Sequence, residues 1–85
     1  MVIPEYISLR NWAGSLIVEF NKYHVPILMD ENDWKKWAED LLAVPPFRGK
    51  NIPSPSSVTS LTKPTDQEWQ PWARAFYFIM SNSDL

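Results

Sequence analysis

The stretch D33-WKKWAEDL-L42 decides the fold. Trp34, Trp37, Ala38, Leu41 and Leu42 fall at offsets 0, 3, 4, 7 and 8, one stripe of a 3.6-residue helical period. Lys35, Lys36, Glu39 and Asp40 take the opposite face, as solvated i,i+4 pairs of small energetic value. Asp30 stands where an N-cap belongs, and the acidic residues 30, 31 and 33 crowd a first turn where the helix dipole favours negative charge. Pro45 and Pro46 end the segment. The reading is a helix over about residues 31–44.

The same pattern occurs twice more. Leu9, Trp12, Ala13, Leu16, Ile17 and Phe20 follow Ser8, a candidate N-cap, and predict a helix over about 8–21. Gly14 inside it either admits a close neighbour or is a tolerated weakness of about 1 kcal/mol. Trp69, Trp72, Ala73, Phe76, Tyr77 and Met80 predict a third helix over about 66–81. Thr65 and Glu68 match the S/T-x-x-E capping box. Pro71 conflicts with that cap, because it would lie past the first turn and remove a backbone bond; a start nearer Trp69, or a kink, resolves the conflict. The copies lie 25 and then 35 residues apart, which argues against a solenoid array.

Between the first two helices, Pro26 holds Val25 extended, and VPIL reads as a connector pinned to the core by Val25, Ile27 and Leu28. Between the second and third, PPFRGKNIPSPSSVTSLTKP (45–64) holds five prolines and four serines. So long a loop is unusual in a compact domain. Phe47, Ile52, Val58 and Leu61 are its candidate anchors, on its own domain or on a neighbour, and Arg48 with Lys50 and Lys63 makes it mildly basic.

The expected fold is therefore all-α: one domain of 85 residues, three helices, and a long Pro/Ser-rich loop over about 45–65. Five tryptophans, four phenylalanines and three tyrosines supply bulk to a small core. Tryptophan is also enriched at interface hot spots, and the leading Trp34 and Trp69 are expected to be partly exposed and, with Phe47, Arg48, Ile52, Val58 and Leu61, to contact a partner.

Composition narrows the chemistry. No cysteine is present, so thiol catalysis, cysteine-ligated metals and disulfides are excluded. His24 is the only histidine, and no common zinc site is expected. The acids of DENDW lack the glycine and distal glutamate of a calcium loop. No Gly-x-Ser-x-Gly or phosphate-binding glycine loop occurs. No catalytic residue, metal, cofactor or small-molecule substrate is expected, and the chain reads as a non-enzyme. A net charge of −2 argues against nucleic acid. No apolar run of about 18 residues predicts a membrane span, and the N-terminus does not read as a signal peptide.

In order, NWAGSLIVEF, HVPILMDENDWKKWAEDLL and WQPWARAFYFIMSN resemble a group of small tailed-bacteriophage proteins. These show W-A-x-S-L-I-x-x-F, V-P-x-L-x-D-E-x-x-W-x-x-W and W-x-x-W-A-x-x-x-F-Y-x-M-x-N. The likeness covers roughly residues 9–82, and the middle loop departs by being longer and richer in proline. The resemblance implies a minor virion component: an adaptor or accessory subunit at neck, tail or baseplate, or a capsid decoration, assembled in the host cytoplasm and contacting other virion proteins in many copies. It carries over no catalytic residues. The alternative is a small cytoplasmic regulatory protein that binds a host or phage factor.

Overall fold

A computed structural model describes residues 2–57 and 63–82. Three α-helices make up its regular structure, α1 (Leu9–Glu19), α2 (Trp34–Leu42) and α3 (Gln70–Asn82), with a 3₁₀ turn at Glu31–Asp33 leading into α2. No strand occurs among the described residues. The protein is thus all-α, with the long loop between α2 and α3.

Helix α1 starts at the cap the sequence places, whereas Asp30 caps the 3₁₀ turn that leads into α2. The Asn11 amide donates to Ser8 Oγ at 3.1 Å, and the Asn32 amide to Asp30 Oδ1 at 2.9 Å. Both caps satisfy a donor that the helix itself leaves unpaired. Helix α1 ends at Glu19, two residues short of the expected bound, and the chain turns through Phe20 and Tyr23. Nothing lies within 4 Å of a Cβ built on Gly14, so this glycine is a tolerated weakness and not a packing contact. The second segment is α-helical only from Trp34 to Leu42.

The third helix starts later than the Thr65 capping box predicts. Its first residue is Gln70, which places Pro71 in the first turn, where an amide would have no intrahelical partner. The reach-back bond comes from Gln70, whose Oε1 accepts from the Gln67 amide at 2.6 Å. Thr65 and Glu68 lie in the preceding turn, and neither serves as the cap. Proline thus overrides the apparent box.

All three stripes meet in one core. Trp12 lies at its centre. Its ring centroid is 6.1 Å from that of Trp37, 5.9 Å from Trp69, 6.0 Å from Trp72 and 5.5 Å from Phe76. Trp34 joins through Trp72 at 6.1 Å. Several of these pairs are edge-to-face, the arrangement an aromatic quadrupole favours.

A buried indole also needs a partner for its N–H, and four of the five find one on an irregular segment. Trp12 donates to the Val2 carbonyl (3.1 Å), Trp37 to Pro26 (2.9 Å), Trp72 to Pro53 (2.9 Å), and Trp69 to Gln67 Oε1 (2.9 Å). The tryptophans therefore fill the core and at the same time fasten the N-terminal segment, the connector, the long loop and the turn before α3.

After α2 the described start of the loop stays on the domain, with Phe47 and Ile52 against the core. Backbone bonds from Phe47 and Arg48 to Val44, and from Lys50 to Phe47, continue the chain in tight turns. Gly49 at φ 85° and Asn51 at φ 60° then reverse it, both residue types that enter the left-handed region at low cost. The Cα radius of gyration, 11.9 Å, is that of a compact chain of this length, about 12 Å. Among the described residues no helix is long and apolar enough to cross a membrane.

Candidate interaction surface

The residues expected to meet a partner separate into four groups. Trp34 and Trp69 are 5% and 3% exposed, so the expectation that the leading indoles face outward is corrected. Trp34 shares a face of α2 with Trp37, Trp69 directly precedes α3, and both rings are drawn into the same aromatic cluster. Phe47 is 1% exposed, its ring 4.9 Å from Phe20 and 5.0 Å from Phe76. Ile52 is half-buried against the core. These two are anchors of the loop on its own domain. Arg48 is exposed. Val58 and Leu61 lie outside the described residues.

Other apolar side chains take the outer surface. Ile27 and Met29 are 67% and 80% exposed, and Val18, Phe78 and Tyr6 are also out. Of the connector's three expected apolar anchors, Val25 and Leu28 are buried. Ile27 points the other way, contrary to the expectation that it joins the core. Val18 and Phe78 carried a legible signal: both are apolar residues on helices, and both fall off the buried stripe.

Ile27 and Met29 border a groove of about 230 Å³ between the connector and α2. Its flank on α2 carries Asp33, Lys36 and Asp40, and Asp30 closes one end. The pairing of Lys36 with Asp40 and of Lys35 with Glu39 does not form among the described residues. Lys35 instead reaches Glu68 at 3.1 Å, tying α2 to the turn before α3.

A second depression, about 680 Å³, lies between the N-terminal segment and α3. Arg74 dominates it. Its guanidinium donates to both oxygens of Asp66, at 3.1 and 2.7 Å, and its Nε to Glu5 Oε1 at 3.1 Å. Lys63 Nζ shares Glu5 Oε1 at 3.1 Å. Lys63 first, then Arg74, hold the Glu5 carboxyl below the usual carboxylate range. Arg74 does the same to Asp66, whose carboxylate in turn raises the guanidinium pKa. Bidentate Arg–carboxylate pairing is among the stronger surface arrangements. Here it clamps the N-terminal segment, through Glu5, to α3.

Among the described residues no three His, Cys, Asp or Glu side chains converge as metal ligands. His24 is exposed at the start of the connector. Fold and surface together define a small all-α domain with a tryptophan core. No family model, curated protein or solved structure matches the chain.

Proposed function

We propose that this protein is a structural, non-enzymatic interaction subunit: an adaptor or accessory component of a tailed-bacteriophage particle, at neck, tail or baseplate or as capsid decoration. The phage setting comes from the order of the three sequence stripes. The observation that carries the adaptor role is the distribution of apolar groups. All five indoles are committed to a rigid interior, while Val18, Ile27, Met29 and Phe78 are displayed outside it. Exposed aliphatic and aromatic groups on a rigid scaffold associate with little ordering cost, because the scaffold is already fixed. The internally paired charges of the Arg74 clamp fit the same role, since they hold the scaffold together.

Mass spectrometry of purified particles tests the reading. The protein is expected at a fixed copy number relative to the major capsid protein. Its absence from washed, infectious particles refutes the virion role. Absence together with co-purification of one cellular partner establishes the regulatory alternative instead.

A further inference from the structure

The connector HVPILM (24–29) belongs to no helix, and its residues 26–29 line a groove together with Asp33, Lys36, Trp37 and Asp40. From Ile27 to Met29 its side chains alternate, with Ile27 and Met29 outward and Leu28 buried between them, as in a strand with one face on a core. Its backbone is unpaired: no amide or carbonyl of these three residues enters a hydrogen bond among the described residues. The segment is nonetheless held firmly, by Leu28 below and by the Trp37 indole on the Pro26 carbonyl. An open, apolar, strand-like edge of this kind invites a second strand.

The charges beside it say which strand. Asp30, Asp33 and Asp40 border the groove against one cation, Lys36. Asp33 and Asp40 enter no ion pair among the described residues. A second copy pairing through the same edge would set these carboxylates against their own kind, which costs energy. A basic strand meets them with complementary charge.

We propose that the edge formed by Ile27–Met29, with the acidic flank of α2, docks an extended basic segment of a partner protein, in which aliphatic residues alternate with lysine or arginine. The partner backbone pairs with residues 27–29. One row of its side chains packs on Ile27 and Met29, and its cations reach Asp33 and Asp40. Because the edge is held in place before binding, little conformational entropy is lost on docking. The proposal rests on the reading as an interaction protein and does not depend on the phage setting.

The test uses the full chain and a short synthetic peptide alternating lysine and valine, with a glutamate–valine peptide as the charge-reversed control. Binding is followed by NMR at the amides of 27–29 and the Trp37 indole, and by fluorescence polarisation of labelled peptide. The lysine peptide is expected to give saturable shifts confined to these resonances and an affinity that falls as salt rises. Replacing both Ile27 and Met29 by serine, positions whose exposure spares the fold, is expected to weaken binding about tenfold or more. Equal binding of both peptides, shifts centred elsewhere, or no binding overturns the proposal. So does sedimentation showing that a second copy already covers the edge. Particle mass spectrometry reads out separately, so loss of one conclusion leaves the other standing.

Discussion

Replacing Phe47 by alanine separates a docking arm from a core element. If the segment after Pro45 were an arm, Phe47 would be a surface residue and its truncation would change stability by no more than about 0.5 kcal/mol. In the structure it is buried, with Phe20 and Phe76 as ring partners at 4.9 and 5.0 Å. Removing a buried phenylalanine costs about 3–5 kcal/mol, combining lost transfer energy with the cavity left behind. For 85 residues the whole stability is about 4–13 kcal/mol, so the loss takes a large part of it. With a urea slope of about 1–2 kcal/mol/M, the unfolding midpoint falls by roughly 1.5–5 M. Far-UV circular dichroism and tryptophan fluorescence should report one shifted transition. Phe47→Leu guards against a variant too unstable to measure. It keeps most of the volume, loses the two ring contacts, and should cost about 1–2 kcal/mol. Arg48→Ala, at the neighbouring exposed position, serves as the surface reference. A Phe47→Ala midpoint indistinguishable from that reference would refute the placement of the loop on the core.

Other outcomes follow from the same contacts. Gly14→Ala should stabilise the protein by about 0.4–1 kcal/mol, because nothing lies near the added methyl and the helix gains propensity; a lowered melting temperature would show an unseen close neighbour. Trp37→Phe leaves the Pro26 carbonyl without its donor and should cost about 1–3 kcal/mol in equilibrium unfolding. It should also loosen the connector, seen as faster hydrogen exchange near residue 28. The Arg74 clamp makes stability acid-sensitive. The Glu5 and Asp66 pKa values are lower folded than unfolded, so below the ordinary carboxylate range, near pH 4, the unfolded chain binds more protons. The contribution is complete above that range and disappears as pH falls through the lowered folded values. Thermal melts across this window should slope less in Arg74→Met than in the parent, and equal slopes would mean the clamp does not carry the linkage.

The helices were legible because their causes are local. Each stripe repeats at helical spacing, and Ser8 and Asp30 lie next to the turns they cap. Pro71 also carried local information: its position conflicted with the Thr65 box, and the structure resolves the conflict in favour of a start at Gln70. The candidate surface was less legible. Val18 and Phe78 could be found as apolar residues off the stripe. Ile27 could not, because VPIL is apolar throughout and short, and nothing in it fixes which side chains turn inward.

By itself the sequence determined an all-α chain with three amphipathic faces, more aromatic bulk than its length requires, and a proline-rich break between the second and third helices. Tertiary structure decided what those aromatics do beyond filling space. Trp72 finds the Pro53 carbonyl nineteen residues away, and Arg74 finds Glu5 across sixty-nine. Such partners are chosen by proximity in the folded state, and no local pattern encodes them. That is why Trp34 and Trp69 turn inward, why Phe47 and Ile52 hold the described start of the long loop on its own core, and why the exposed apolar edge is the connector at Ile27–Met29. The doublet of tryptophan stripes specifies packing, and in the folded protein its indole N–H groups also hold the irregular segments in place.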